Sequence, residues 1–146
     1  MTKTLIQNAR LIAPERDAPF DGALLIEKGR IAQVFETPAP QVSDADVVDA
    51  GGACVAPGIV DIGVKVGEPG ERHKESYGTA GAAAAAGGVT TIVTRPDTTP
   101  AIDTPESLEF IRRRANEAAP VNVLPMAALT KGRAGREMTE FGFLMD

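Results

Sequence analysis

The spacing of hydrophobic and polar positions changes a little more than a third of the way along the chain. Before residue 57, short apolar runs are separated by Gly, Pro and Asp, a pattern typical of strands joined by turns. We expect strands over residues 4–12, 23–27, 30–35, 46–50 and 53–56. Lys28-Gly29 suits the hairpin turn between the second and third strands, and 37–43, which contains Pro38 and Pro40, is expected to be a surface loop. This pattern predicts a small antiparallel β unit.

One later stretch has two faces of different character. It lies between Pro57-Gly58 and Pro69-Gly70, and we expect one strand bracketed by turns. Because side chains alternate across a strand, its apolar, core-facing set is Ile62, Val64 and Val66. The opposite face carries Asp61, Gly63, Lys65 and Gly67. A face with one charge of each sign and two positions without a side chain indicates a cavity or a site.

The rest of the chain alternates between strand and helix. We expect helices over 75–86 and 106–117, strands over 89–94 and 121–126, and a further helix from 137 to 146. Asp103 or Thr104 is the expected N-cap of the second helix. Strands joined by helical crossovers run parallel, so the predicted class is α/β, with domains over 1–56 and 57–146. A closed eight-stranded barrel needs about 250 residues, so a barrel would be incomplete in this chain.

Composition narrows the function classes. The 146 residues include 15 Lys and Arg against 20 Asp and Glu, a formal net charge of −5, which disfavours nucleic acid or an anionic membrane as a partner. No run approaches membrane-spanning length and the first residues lack a signal-peptide core, so we expect a cytoplasmic protein. Cys54 is expected to be a buried, reduced thiol. With His73 as the single histidine, a self-contained zinc site is not expected.

The strand with two faces also carries a family resemblance. Residues 57–70 read P-G-x-x-D-x-x-x-x-x-x-E-P-G, which is similar to the opening strand of dihydroorotases and related cyclic amidohydrolases, PGxxDxHxHxREPG. Further stretches resemble the same family in the same order, namely 73–75, 83–91, 100–105, 121–125 and 128–132. The resemblance therefore extends through the whole chain.

This resemblance implies a fold and a reaction. The fold would be the N-terminal part of an amidohydrolase (β/α)8 TIM barrel, with about three β-α units, preceded by a β-sandwich segment. The family reaction is the reversible hydrolysis of a cyclic amide, between N-carbamoyl-aspartate and dihydroorotate, in pyrimidine biosynthesis. In active members zinc activates water and polarises the carbonyl.

The residues that would carry this chemistry are replaced. Gly63 and Lys65 stand where the resemblance places two zinc-binding histidines, and an ammonium offers three donors and no lone pair. Gly67 stands where an arginine would hold the substrate carboxylate, and Asp97 where an asparagine would lie. The family's remaining metal ligands would lie beyond Asp146. We therefore expect no catalytic residue and no metal in this chain.

Several residues keep two interpretations at this point. Lys65 either pairs with Asp61 or Asp97, substituting a fixed cation for zinc, or extends to solvent. Arg95 is expected to form an ion pair with Asp97. His73 is either a structural or exposed residue or a general base. Residues 131–133 form either a flexible loop or an anion site, and residues 112–114 form either a solvated face or a binding patch.

Three functions follow. The first is a non-catalytic dihydroorotase-like protein that acts as a scaffold. Its partner would be the catalytic subunit of aspartate transcarbamoylase, further copies of the same chain in a homo-oligomer, or both. The alternative is the N-terminal fragment of a longer amidohydrolase acting on cyclic amide C–N bonds. The third, an enzyme using other groups, is disfavoured because the chain offers no paired nucleophile and base.

Overall fold

The chain divides into two compact units, Met1–Pro57 and Gly58–Asp146. The computed structural model describes residues 3–37 and 39–145, so Pro38 of the predicted loop and Asp146 of the predicted last helix lie outside the described residues. The sequence-based domain boundary falls between residues 56 and 57, at the Pro57-Gly58 turn.

The first unit is a five-stranded sheet. Its strands are β1 (Lys3–Leu11), β2 (Phe20–Glu27), β3 (Arg30–Glu36), β4 (Ala45–Asp49) and β5 (Cys54–Val55). Strands β3, β2 and β1 lie side by side in that order, and each neighbouring pair is antiparallel. Leu5, Ala23 and Leu25 form a buried cluster in this unit. The alternation of apolar and turn residues was sufficient to predict these strands.

Two predictions for this unit are wrong. The sheet is mixed rather than antiparallel, because β4 and β5 both pair with β1 in parallel. The connection from β3 crosses to the far side of β1. Strand β4 therefore runs in the same direction as β1, because parallel neighbours are joined by crossover connections. Cys54 is exposed rather than buried, since β5 is a two-residue edge strand paired only with β1.

The second unit is a parallel sheet covered by helices, as predicted. Its strands are β6 (Ile59–Val64), β7 (Val89–Thr94) and β8 (Asn122–Pro125), adjacent in that order and parallel throughout. Helix α1 (Tyr77–Ala86) connects β6 to β7, and α2 (Pro105–Ala118) connects β7 to β8. These are the first β-α steps of a barrel. No helix in the described ranges is long and apolar enough to cross a membrane.

Local sequence fixes where the two long helices begin. Ser76 and Thr104 are the N-caps, and each forms a reciprocal capping box with the residue three positions on. Thr104 rather than Asp103 is therefore the cap of α2. Buried side chains from both helices and the loops join one core, whose members are Val66, Tyr77, Ala80, Ile102, Ile111 and Ala115.

The end of the chain differs from the prediction of a long helix. A 3-10 turn covers Lys131–Arg133, and α3 spans only Phe141–Leu144. Met138 instead forms an antiparallel bridge with Thr130. The buried hydroxyl of Thr139 donates to the carbonyl of Ala128 at 2.8 Å. These tertiary bonds hold the backbone extended where local propensity alone suggested a helix.

Candidate functional site

The strand expected to organise the site is shorter than predicted and carries a bulge. β6 ends at Val64, and its register with β7 shifts between Ile62 and Val64. Gly63 lies at the shift with a φ of +92°, in the left-handed region. The expected core-facing set does not form one buried face, because Val66 is buried whereas Ile62 is 70% exposed. Simple alternation could not reveal this, because a bulge changes the face on which each later side chain lies.

A cluster of charges forms where the parallel strands end. Asp97 follows β7, and its Oδ2 lies 3.0 Å from Arg95 Nη2, 3.8 Å from Lys65 Nζ and 3.9 Å from Arg133 Nη1. In parallel α/β sheets, ligands bind at this carboxyl edge. We call Lys65, Arg95, Asp97 and Arg133 the mouth cluster. The structure thus contains the expected Arg95–Asp97 pair and directs Lys65 to Asp97 rather than Asp61.

The carboxylate at the centre of the mouth cluster is far less accessible than the cations around it. The Asp97 side chain is 11% exposed, against 58% for Lys65, 51% for Arg95 and 48% for Arg133. Within the described residues, Asp97 Oδ1 is buried and has no hydrogen-bond partner. The cations therefore line the rim, and their charge faces solvent.

Gly67 lies under a closed loop. A Cβ added there would meet the carbonyl oxygen of Glu71 at 2.5 Å and that of Glu75 at 3.1 Å. The Glu71 N–H also donates to the Gly67 carbonyl at 2.6 Å. Since 2.5 Å is shorter than any real Cβ contact, this backbone cannot accept a side chain without moving. The path of the loop therefore leaves no room for a larger residue at position 67.

The next residue, Glu68, anchors the same loop to a helix. It is 5% exposed and accepts a 2.7 Å bond from Arg114 Nε and a 3.2 Å bond from the N–H of Tyr77. Burial by itself raises the pKa of Glu68, but the bond from Arg114, the Tyr77 N–H and the charges of Arg114 and Arg72 together lower it below its ordinary value. Glu68 is therefore an ionised structural group.

Sequence reasoning missed two contributions to this region. Arg114 was grouped with Arg112 and Arg113 as a solvated face, yet it turns inward to Glu68 while the other two are exposed. For residues 131–133 the sequence leaves both a flexible loop and an anion site open, and neither alternative places Arg133 beside Asp97, which it reaches. The hydrophobic stripe formed by Ile111 and its neighbours could have indicated which arginine adjoins the core. No sequence signal could have located Arg133.

The remaining predicted residues lie apart from the mouth cluster. Asp61 is exposed and forms no ion pair within the described ranges, and His73 is exposed in the loop before α1. A cavity of about 900 Å³ lies at the opposite end of the sheet. It is lined by residues that precede or begin β7 and β8, including Gly88, Val89, Pro120 and Val121.

The residues present do not fit a zinc ion. Gly63 has no ligand atom, and Lys65 places an ammonium, which has no lone pair to offer, beside Asp97. In the part of the chain that the structure describes, no three His, Cys, Asp or Glu side chains are grouped to hold a metal. No step of a reaction can therefore be assigned to a metal held by these residues.

The sequence comparisons all match this chain to the same protein family. A family profile described as "Dihydro-orotase-like" matches residues 52–146. The dihydroorotase of Geobacillus kaustophilus is 41% identical over 131 residues, which is 86% of this chain and 31% of that protein. The dihydroorotase of Sulfurihydrogenibium sp. is 38% identical over 142 residues, 97% of this chain and 33% of that protein. The chain thus spans about a third of the length of these relatives.

Comparison with solved structures supports the same fold. The L-hydantoinase of Arthrobacter aurescens superposes with a TM-score of 0.81 at 24% identity, over 89% of this chain and 28% of that one. A D-hydantoinase gives a TM-score of 0.74, also at 24% identity, over 88% and 28% of the two chains. These are TIM-barrel amidohydrolases, so the second unit is part of such a barrel. The sequence profile and this fold together show that the chain belongs to the dihydroorotase-like family of amidohydrolases.

Proposed function

We propose that this chain is a dihydroorotase-like protein without dihydroorotase activity, which acts as a structural partner of aspartate transcarbamoylase in pyrimidine biosynthesis. One observation carries the first half of this proposal. At the position of the second metal-binding histidine, Lys65 presents a cation 3.8 Å from Asp97, and a fixed positive charge there repels a dication.

The backbone supports the same conclusion independently of the side chains. At the first metal position, Gly63 has a φ of +92°, which costs a residue with a side chain about 1–2 kcal/mol. At the arginine position, the carbonyl of Glu71 occupies the space a side chain would need. Loss of function here involves the path of the chain as well as the identity of four side chains.

Metal content and turnover test the loss of catalysis. We expect the purified chain to contain far less than one zinc per molecule by plasma mass spectrometry, and to leave both N-carbamoyl-aspartate and dihydroorotate unchanged. The Geobacillus kaustophilus dihydroorotase serves as the matched positive control. Stoichiometric zinc that survives dialysis, or turnover at a rate comparable to the control, would contradict the proposal.

Partnership requires a separate measurement, because inactivity alone does not imply a scaffold. The second unit has a packed core and two capped helices, so a fold that can take part in an assembly is present although the proposed site residues are replaced. We expect the chain to co-elute with the aspartate transcarbamoylase catalytic subunit of the same organism in size-exclusion chromatography. Independent elution at micromolar concentrations of both would argue against this partner.

A second proposal is compatible with the first, namely that the chain is the N-terminal part of a longer amidohydrolase acting on cyclic amide C–N bonds. It is supported by the chain's coverage of 28–33% of the dihydroorotases it resembles. Sequencing the gene past the codon for Asp146 tests it. A reading frame continuing for the length of the missing barrel strands is the expected result, and an immediate stop codon is the contrary one.

A further inference from the structure

The mouth cluster has more positive charge than its carboxylate can balance. Three cationic nitrogens, on Lys65, Arg95 and Arg133, lie within 3.9 Å of the same oxygen of Asp97. Three cations against one carboxylate leave a local excess of two positive charges. The formal charge of the whole chain is −5, so this excess is a local feature and does not reflect composition.

Neighbouring charges reduce the excess but do not remove it. Glu71 is close enough to Lys65 for the charge of Lys65 to lower its pKa, but it is bonded to Lys74, which lowers that pKa more. Lys131, next to the mouth, is paired with Glu137. These two pairs are each neutral. The Asp103 carboxylate, which accepts the N–H of Gly132 beside Arg133, offsets one further charge, so the mouth cluster keeps an excess of about one positive charge.

Two of the three cations keep their donors available. Arg95 makes the closest contact with Asp97 at 3.0 Å, whereas Lys65 and Arg133 stand at 3.8 and 3.9 Å, beyond hydrogen-bond distance. Within the described residues, neither side chain donates a hydrogen bond elsewhere. About half of each is exposed to solvent. A ligand could therefore bind them without breaking an existing bond.

The backbone holds Arg133 in place. Its φ is +59°, a conformation that residues with a side chain adopt rarely. The preceding N–H, of Gly132, donates to Asp103 Oδ2 at 2.7 Å, and the N–H of Gly135 donates to Thr130 Oγ1 at 3.1 Å. The backbone turn is thus fixed on both sides of Arg133, which places the start of its side chain beside the mouth.

We infer that the mouth cluster binds a small oxyanion, held by Lys65, Arg95 and Arg133. Guanidinium groups bind planar or tetrahedral oxyanions through paired N–H donors, and an ammonium adds a point charge. Phosphate and dicarboxylates share this chemistry. The inference rests on the proposed function only in that side-chain cations, rather than a metal, provide the positive charge.

Titration of the full chain tests the inference directly. Inorganic phosphate and succinate are added separately, at ionic strength held constant with chloride, while the Nε–H signals of Arg95 and Arg133 are followed by NMR. We expect saturable shifts with at least one of the two, and the stronger of them identifies the preferred oxyanion class. Absence of saturation with both anions overturns the inference.

Variants assign the binding to the cluster. Lys65→Met and Arg133→Gln should each weaken binding by about fivefold or more, since each removes one charge about 4 Å from the site. Arg113→Gln, on the exposed face of α2, is the matched control and should leave the affinity unchanged. An equal effect of all three substitutions would mean general screening and would overturn the inference.

Asp97→Asn separates a ligand site from an internal ion pair. Removing the central negative charge raises the local excess, so anion binding should tighten by about fivefold. If the cations serve only to neutralise Asp97, the variant will show no saturable binding and the inference fails.

Zinc-free protein that binds neither anion would contradict this inference while leaving the proposed function intact. If zinc is present and binding survives Lys65→Met and Arg133→Gln, the metal holds the anion and the inference is overturned.

Discussion

Two carboxylates in the second unit, Glu68 and Asp97, are surrounded by cations in opposite ways. Glu68 is buried, and its two oxygens accept bonds from Arg114 and from the N–H of Tyr77. Asp97 has one oxygen with three cations around it and one oxygen without a partner in the described residues. The first arrangement is closed and satisfied, and the second is open and in positive excess.

This difference separates structure from recognition. A buried carboxylate whose acceptors are all used joins a loop to a helix and has no capacity left for a ligand. A carboxylate that attracts several half-exposed cations concentrates positive charge at a surface without consuming their donors. Glu68 thus serves the fold, whereas Lys65 after β6, Arg95 and Asp97 after β7, and Arg133 in the 3-10 turn form the candidate site.

Glu68→Gln should have the largest effect on stability. The amide presents one oxygen and one N–H₂ group to two donors, so the buried bonding is broken and the charge of Arg114 is uncompensated. We expect a loss of about 3 kcal/mol in the free energy of unfolding, measured by urea titration with circular dichroism, because the chain has no Trp. Glu71→Gln, which breaks an exposed pair, should cost much less, because water and salt screen an exposed ion pair. Equal losses would show that Glu68 is not a structural anchor.

Gly67→Ala should destabilise by about 2 kcal/mol, because the new Cβ overlaps the backbone of Glu71 and the loop must shift. Gly78→Ala is the matched control. Its Cβ would lie 3.6 Å from the nearest atom, inside α1, so this change should stabilise by about 0.5–1 kcal/mol. Thermal unfolding of the two variants should therefore shift in opposite directions, and shifts of the same sign would refute the closed-loop interpretation.

Acid should weaken the contribution of Glu68 to stability. The loss should be smaller than that caused by Glu68→Gln, because a protonated carboxyl can still accept a hydrogen bond from Arg114. The folded-state pKa of Glu68 lies below its ordinary value of 4.5, so its stabilisation is fully present above that value and is lost as pH falls through the folded pKa. Unfolding free energies measured from about pH 6 to about pH 3 should fall more steeply for the native chain than for Glu68→Gln. Parallel curves would exclude Glu68 as a source of acid sensitivity.

Gly63→Ala should have the smallest effect, about 1 kcal/mol. No atom lies within 4 Å of the added Cβ, so the cost comes only from the φ of +92°. Urea titration beside Gly67→Ala distinguishes the two causes, strain in one and overlap in the other. A Gly63→Ala variant as stable as the native chain would indicate that the bulge relaxes easily, and would weaken the backbone argument against a histidine there.

Much of the fold could be predicted from sequence because its signals are local. Thr104 followed by Pro105 and Ser107 indicates the start of a helix, and β-branched residues from Val89 indicate a strand. The parallel pairing of β4 and the bulge at Gly63 could not be predicted, since both depend on how separate segments meet. The candidate site divides in the same way, because Lys65 and Asp97 follow from motif position whereas Arg133 reaches the mouth through a turn fixed by Asp103.

The close contact between Gly67 and Glu71 has a consequence for protein engineering. Placing histidines at 63 and 65 and an arginine at 67, as the proposed function would suggest, would meet a backbone path that has no room for a side chain at 67. A designer seeking a hydrolase would need to rebuild residues 67–75 first and exchange side chains second.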